Sequence, residues 1–192
     1  MDIPLAKSPA YDWSAFEVGI YIMAKPDEVF DLFTTAKGLT RWFLRTAGFA
    51  ASAGRPADRK LIEQLPPFDS LSQRPENERC RTNDRYQWEW HYGGGVIGEE
   101  WILDCRPPTR LVFGFGDQME VSVRLRKLGR LCEVNLRQYN IPDNASGRHN
   151  LHMGCRVAWA FFLANLKSVA EGGLDLRETD RARTRQLHLV NI

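Results

Sequence analysis

The chain lacks closely spaced cysteines and a recognisable targeting segment. Its cysteines are Cys80, Cys105, Cys132 and Cys155. They lie more than twenty residues apart and form no C-x-x-C pair of the kind found in zinc sites and redox motifs. The opening stretch MDIPLAKSPAYDW has neither an apolar core region nor an arginine-rich amphipathic character. These features predict a cytoplasmic protein with free thiols and no metal.

An excess of one charge and the common nucleotide-binding motifs are also absent. Lys plus Arg is 26 and Asp plus Glu is 24, so the net charge is +2 at pH 7. A partner chosen by bulk electrostatics, such as DNA or an anionic bilayer, is therefore not favoured. No G-x-S-x-G, no G-x-G-x-x-G after a strand and no P-loop occurs. We predict no nucleic-acid partner and no cofactor, and any function must come from a local site.

The composition is that of an ordinary globular protein, with 43% hydrophobic and 26% charged residues in a chain of 192. This length is enough for one domain with a well-buried core and short for two. We therefore predict a single domain over residues 1–192 that ends in a tail at 174–192. Residues 50–83, which contain four prolines and many charges, are predicted to be an insertion or lid with a helical piece at 57–65.

Apolar and polar residues alternate with a period of two through most of residues 86–138, which is typical of half-buried strands. The apolar face of these runs is predicted to hold Tyr86, Trp88, Trp90, Leu111, Phe113, Phe115, Met119, Val121, Val123, Leu125, Cys132, Val134 and Leu136. Turn signals such as Gly93–Gly95 and Pro107–Pro108 separate the runs. Five strands with short links predict an antiparallel meander.

The two ends of the chain predict the remaining elements. A strand at 16–23 precedes a helix that begins at Pro26, because proline fits the first helical turn and the acids after it favour the positive end of the helix dipole. A second short helix is predicted near 37–43. The longest helix is predicted from about residue 150 to 170, before the glycine stop at Gly172 and Gly173.

The last helix contains VAWAFFLA at residues 157–164, which is apolar on nearly all sides and therefore typical of a buried helix. This stretch of about eight residues is too short to span a bilayer, which needs ~20. A twisted sheet that must bury one face beside such a helix curls around it. The predicted fold is α+β of the helix-grip type, a curved antiparallel β-sheet wrapped around a long C-terminal α-helix, with two short helices after the first strand.

Four segments of the chain carry a family resemblance. They are FEVGIYIMAKPDEVFDLFTTAKGLTRWF at 16–43, YQWEW at 86–90, RPPTRLVF at 106–113, and Trp159 followed by NLKSVAEGGLDLR at 165–177. Together they resemble the START-like (SRPBCC) superfamily, and within it the family similar to the activator of the 90-kDa heat-shock protein ATPase. The resemblance implies the helix-grip fold and a hydrophobic cavity between the sheet and the last helix.

The fold does not decide the activity, because the superfamily includes lipid and hormone carriers, polyketide cyclases and chaperone activators. The first hypothesis is a noncatalytic module that binds a small hydrophobic or amphipathic molecule, such as a lipid, in the cavity. The second is an interaction protein that contacts a heat-shock chaperone, as the named family implies. The third is an enzyme of the cyclase or hydratase kind, which needs two polar groups converging in the cavity; the sequence places no such pair.

The predicted ligand-binding residues are mostly aromatic. They are Trp42, Trp88, Trp101, Phe113, Phe115, Gln138, Trp159, Phe162 and Asn165. The aromatic members either line a pocket, since pockets are mostly apolar, or fill a solid core, and the sequence leaves both open. The two amides need partners when buried, so each orients a ligand or satisfies backbone groups; the structural role is favoured.

For several titratable groups, a structural role is favoured over catalysis or metal binding. Glu99 and Glu100 are adjacent on a strand, so one points inward, where an arginine partner is favoured over acid–base work. His149 and His152 have the spacing of metal ligands but lack nearby carboxylates other than Asp143, so no metal site is predicted. The arginines of the outer sheet face are interspersed with acids, which is typical of a solvated surface.

Overall fold

One antiparallel sheet of seven strands carries the fold. The computed structural model describes residues 11–57, 61, 64–91, 97–116 and 118–184. The strands are β1 (Phe16–Ile22), β2 (Thr46–Ala50), β3 (Arg85–Glu89), β4 (Ile97–Arg106), β5 (Arg110–Gly114), β6 (Glu120–Leu128) and β7 (Leu131–Tyr139). The helices are α1 (Pro26–Thr34), α2 (Ala36–Thr40) and α3 (Gly154–Ala170), the last preceded by a π-helical segment, Gly147–Met153. The sheet order β1-β7-β6-β5-β4-β3-β2 confirms the α+β helix-grip fold and its meander.

The two short helices begin at residues whose side chains and backbone fit helix starts. Pro26 occupies the first turn of α1, and the Glu28 carboxylate accepts a hydrogen bond from the Lys25 backbone N–H at 3.2 Å. Thr35 Oγ1 accepts from the Gly38 backbone N–H at 2.9 Å, and a Cβ at Gly38 would lie 2.7 Å from that oxygen, so only glycine fits. The predicted apolar face of α1 is buried, namely Val29, Phe30, Leu32 and Phe33.

The inner face of the sheet forms one side of the core. Strands β6 and β7 pair with Val123 opposite Leu136, so the alternating apolar residues of both strands point the same way. The buried residues that these two strands turn towards the inner face are Val121, Val123, Leu125, Cys132, Val134, Leu136 and Gln138. The outward residues between them include Arg124, Arg126 and Arg137, as the alternation predicted.

Helix α3 covers this face with one side only. Trp159, Phe162 and Leu166 face the core and are buried, whereas Val157 is 67% exposed and Ala160 is also exposed. The expectation of a helix buried on all sides is therefore wrong. Its exposed positions include Arg156 as well as the apolar Val157, Ala158 and Ala160, and exposed apolar residues are common on protein surfaces. Neither α3 nor any other helix within the described ranges is long and apolar enough to cross a membrane.

The sequence did not predict β2, an edge strand with the sequence TAGFA, because it is short and contains glycine. The connection after it runs back beside β2, where the Arg74 N–H donates to the Phe49 carbonyl at 2.8 Å. Phe68, in this connection, is only 6% exposed. Most of the helical piece predicted at 57–65, and the turn predicted at Gly93–Gly95, lie outside the described residues.

Candidate functional site

Aromatic rings from distant parts of the chain meet beneath α3. The ring of Phe43, which follows α2, has its centroid 4.8 Å from that of Phe162 and 5.1 Å from that of Trp159 on α3. The same ring stacks on Trp42 at 5.2 Å and meets Trp88 of β3 edge-on at 6.0 Å. We call the rings of Trp42, Phe43, Tyr86, Trp88, Phe113, Phe115, Trp159 and Phe162 the aromatic cluster. Phe43 lies at its centre although the predicted site did not include it.

Strands β3 and β5 extend the aromatic cluster across the sheet. Trp88 stacks on Tyr86 with centroids 3.8 Å apart, and Phe113 meets Trp88 at 5.1 Å. Phe115, which is only partly buried, lies 5.7 Å from Trp159. Tyr86 was also absent from the predicted site, but its place in the Y-x-W-x-W row is the signal that identifies it.

Trp101 does not belong to the aromatic cluster. In the β3–β4 register it pairs with Arg85, one position out of step with Tyr86 and Trp88, so it lies on the opposite face of the sheet. It is nevertheless only 4% exposed, because the Arg85 guanidinium lies over its ring at 5.9 Å. Arg85 in turn donates to the Pro66 carbonyl at 2.7 Å, so the connection after β2 helps to cover this tryptophan.

The indole N–H groups of the aromatic cluster differ in whether they have a hydrogen-bond acceptor. Trp42 Nε1 donates to the Leu32 carbonyl at 2.9 Å, and Trp159 Nε1 donates to Gln138 Oε1 at 2.9 Å. Trp88 is 1% exposed, and its Nε1 has no hydrogen-bond partner among the described residues. A buried donor left unpaired costs about 1–3 kcal/mol. The unpaired N–H thus distinguishes Trp88 from Trp42 and Trp159.

Gln138 holds α3 against the sheet. Its Oε1 accepts from Trp159, its Nε2 lies 3.3 Å from the sulfur of Met119, and the residue is fully buried. Both ends of the amide are thus engaged within the protein. The structural role that the sequence favoured for Gln138 agrees with these contacts.

Asn165 holds the segment that follows α3. Its Nδ2 donates to the Trp42 carbonyl at 2.7 Å and to Asp175 Oδ1 at 2.9 Å, while its Oδ1 accepts from the Leu176 N–H at 2.7 Å. Arg177 also holds this segment in place, and its side chain donates a hydrogen bond to the Leu44 carbonyl at 3.0 Å. Asn165 therefore ties the start of the predicted tail to the loop that carries Trp42.

The adjacent glutamates point to opposite faces of the sheet, as predicted. Glu100 pairs with Tyr86 on the inner face, and its carboxylate lies 3.9 Å from the Arg55 guanidinium. Glu99 points outward and accepts from Arg85. The Tyr86 hydroxyl donates to the Gly114 carbonyl at 2.7 Å, and burial, together with the charge of Glu100, raises the pKa of Tyr86 well above its ordinary value. The inward carboxylate thus has the arginine neighbour that the sequence favoured.

The two histidines before α3 do not share a site. His152 is 1% exposed, and its Nε2 lies 3.2 Å from the Ala15 carbonyl oxygen, with the rings of Trp13 and Phe16 beside it. His149 is exposed. Within the part of the chain that the structure describes, no group of three or more His, Cys, Asp or Glu residues is arranged to hold a metal ion.

The outer face of the sheet carries a shallow groove of about 560 Å³. Its lining includes Arg110, Arg124, Arg126 and Glu133. Arg126 Nε lies 2.6 Å from the Glu133 carboxylate, so acids neutralise part of this basic surface. This groove and the aromatic cluster lie on opposite faces of the sheet.

Comparisons with known proteins agree with this architecture. The sequence model of the family described as Activator of Hsp90 ATPase homolog 1-like protein matches residues 23–171. The solved structure of protein SSP2350 from Staphylococcus saprophyticus has a TM-score of 0.60 at 12% identity, covering 85% of this chain and 96% of that one. The Aha1 dimer from Colwellia psychrerythraea has a TM-score of 0.57 at 16% identity, covering 83% and 97%. CalU16 from Micromonospora echinospora has a TM-score of 0.53 at 17% identity, covering 84% and 76%.

At these identities the structural likeness shows the fold alone. The comparison with curated protein sequences found no match.

Proposed function

Because the chain belongs to the family described as Activator of Hsp90 ATPase homolog 1-like protein, a START-like family of helix-grip proteins, we propose that it binds a small amphipathic ligand between its sheet and α3. The binding is noncatalytic. The observation that carries this proposal is the unpartnered N–H of Trp88 in the middle of the aromatic cluster.

The cluster defines the chemistry of the proposed ligand. Its body is apolar, because the surrounding groups are indole and phenyl rings. Its polar end carries a hydrogen-bond acceptor, such as a carboxylate or carbonyl oxygen, that pairs with Trp88 Nε1. Gln138 and Asn165 already hold partners within the protein, so they support the site rather than contact the ligand. A single directed hydrogen bond then fixes which end of the ligand faces β3.

The polar groups nearest the aromatic cluster support a noncatalytic role, because they already have partners within the protein. Tyr86 donates its hydroxyl to the Gly114 carbonyl, and Glu100 lies beside Arg55. Both groups therefore have partners within the protein that a cyclase or hydratase would have to replace. No contact among the described residues favours that third alternative.

A titration with dodecanoate tests the proposal. We expect a saturable change in tryptophan emission with one site per chain. Trp88→Phe keeps an aromatic ring but removes the donor, so dodecanoate affinity should fall by about 10- to 150-fold, equivalent to about 1.5–3 kcal/mol for one hydrogen bond to a charged acceptor. Dodecylammonium, which has donors but no acceptor, should bind much more weakly than dodecanoate to the unaltered protein.

Arg124→Ala is the matched control, because Arg124 lies on the outer face and should leave dodecanoate affinity unchanged. If dodecanoate and a panel of apolar compounds give no saturable change while the protein stays folded, the aromatic cluster is a solid core and the ligand proposal fails. Equal loss of affinity in Arg124→Ala would move binding to the outer face.

The second candidate is a chaperone-contacting protein, favoured by the family description and by the outer groove lined by Arg124 and Arg126. Adding the chain to Hsp90 and measuring ATP turnover tests it. A saturable rise that Arg124→Ala with Arg126→Ala weakens would support this candidate. Neither binding nor a change in turnover at micromolar protein would remove it.

We also propose a cellular location and a domain organisation for the chain. The four cysteines are free thiols, which supports a reducing, cytoplasmic location. We further propose that residues 1–192 form one domain, in which residues 50–83 are an insertion or lid. Limited proteolysis that released a stable fragment after a cut near residue 83 would contradict the single domain.

A further inference from the structure

A short stretch before β3 brings two cysteines together. Residues 80–84 run alongside β4, where the Asn83 N–H donates to the Ile102 carbonyl at 2.8 Å and the Cys105 N–H donates to Thr82 Oγ1 at 2.9 Å. This pairing carries Cys80 to the end of β4. The Cys105 thiol donates to the Cys80 backbone carbonyl at 3.2 Å. Cysteines that are distant in sequence are thus neighbours in the fold.

The two thiols have different environments. Cys80 is 2% exposed, and burial raises the pKa of its thiol well above the ordinary value. Cys105 is partly exposed, and a hydrogen bond from the Cys80 thiol lowers the pKa of Cys105. Burial and the negative charges of Asp104 and Asp84 oppose the Cys105 thiolate, and the positive charge of Arg79 favours it. Cys105 is therefore the more nucleophilic and more accessible of the two.

We propose that Cys80 and Cys105 form a reversible intramolecular disulfide when the protein meets hydrogen peroxide. The Cys105 thiolate attacks one peroxide oxygen, the O–O bond breaks, and the hydroxide that leaves takes up a proton to give water. The resulting Cys105 sulfenic acid is attacked by the sulfur of Cys80; the S–S bond forms, and the sulfenic oxygen leaves as water with the proton of Cys80. The two thiols lose two electrons in total, and the peroxide is reduced to two waters.

The other cysteines lack this arrangement. Cys132 lies on the inner face of β7 and is fully buried, and Cys155 lies in α3, where burial raises the pKa of its thiol. No second thiol is among the groups that shift the pKa of Cys132 or Cys155. The chemistry is therefore specific to the pair at the end of β4.

The disulfide would close a loop from residue 80 to residue 105 that contains β3 and most of β4. Cross-linking a loop of this size restricts the unfolded chain, so the oxidised protein should unfold at a higher urea concentration than the reduced protein. Trp88 lies within the loop, but disulfide formation does not depend on ligand binding and is tested separately from it.

The test is a peptide map of the whole protein after brief exposure to hydrogen peroxide. Trypsin cuts after Arg79, Arg81 and Arg85 but not between Arg106 and Pro107. Digestion without reduction should therefore release residues 80–81 joined to residues 86–110, lighter by two hydrogen atoms than the separate peptides. Dithiothreitol should separate them and lower the urea midpoint to its original value.

Cys80→Ser should leave a sulfenic acid on Cys105 that dimedone traps, because no second thiol can resolve it. Cys155→Ser is the matched control and should give the same joined peptide as the unaltered chain. Four intact thiols after peroxide would overturn the proposal, as would oxidation of Cys105 with Cys80 still alkylatable, or a disulfide that involves Cys132 or Cys155. The peptide map of the unaltered protein distinguishes these outcomes even if a variant fails to fold.

Discussion

Trp159 links α3 to the sheet through both its ring and its N–H. The ring contacts Phe43 and Phe115, and the N–H donates to Gln138. We expect Trp159→Ala to lower the free energy of unfolding by about 3–5 kcal/mol, the usual range for a large buried aromatic residue. Urea denaturation measures this change. Val157→Ala, at an exposed position of the same helix, should leave the midpoint nearly unchanged, and an unchanged midpoint in Trp159→Ala would show that Trp159 is not a core residue.

His91 makes stability depend on pH. Burial, followed by the positive charges of Arg177 and Arg45, lowers the pKa of His91 below its ordinary value of 6.5, and the opposing charges of Asp175 and Glu89 do not cancel this. The unfolded chain therefore binds the proton more tightly than the folded one. The contribution is fully present above the unfolded pKa and is lost as the pH falls from about 6.5 towards the folded pKa.

We accordingly expect the urea midpoint to drop between about pH 7.5 and about pH 5.5, and His91→Asn to reduce that drop. Urea titrations of both proteins at the two pH values measure the difference. A pH dependence that is identical in the variant would assign the effect to other groups.

Arg177 fastens the segment after α3 to the loop before β2. Its side chain is only 3% exposed, and it donates to the Leu44 carbonyl at 3.0 Å, to the Thr40 carbonyl at 2.8 Å and to Asp175. Arg177→Ala leaves these acceptors unpaired, so we expect a loss of about 2–3 kcal/mol, typical of hydrogen bonds to a charged group. Hydrogen exchange should show the loss first in residues 174–184.

Arg183→Ala serves as the comparison, because Arg183 is exposed and pairs with Glu178 at the surface. It should leave the exchange rates and the unfolding midpoint unchanged. Equal effects of the two variants would mean that Arg177 does not fasten the segment.

Elements with a clear period were predictable from the sequence, and those without one were not. The alternation in β6 and β7 placed Val123 and Leu136 on the inner face because a strand has no other way to bury every second residue. The edge strand β2 was not predictable because its five residues show no alternation. Trp101 was assigned to the site by its residue type, whereas its register opposite Arg85 decides its face.

The aromatic cluster was predictable only in part. The sequence identified Trp42, Trp88 and Trp159 as large apolar side chains, but their meeting point at Phe43 depends on how α2 and α3 cross the sheet. The partners of the indole N–H groups depend on backbone positions that a sequence does not reveal. The exposure of Val157 likewise follows from the sheet covering α3 on one side, which periodicity alone does not show.

Across the whole molecule, the sheet separates two surfaces of different chemistry. The inner face and α3 enclose the aromatic cluster, whereas the outer face carries the arginine-lined groove. A ligand beneath α3 and a protein partner on the outer groove would therefore contact different residues. Variants at Trp88 and Arg124 distinguish the two functions, because each residue belongs to only one of these surfaces.

The proposed function requires that Trp88 donate its N–H to the acceptor of a bound ligand. A ¹H–¹⁵N spectrum of the indole groups tests it directly, with the Trp88 signal assigned by its loss in Trp88→Phe. On adding dodecanoate, the Trp88 proton signal should move downfield because a hydrogen bond forms, while those of Trp42 and Trp159, already bonded within the protein, should move less. A Trp88 signal that stays in place at saturating dodecanoate would contradict the account.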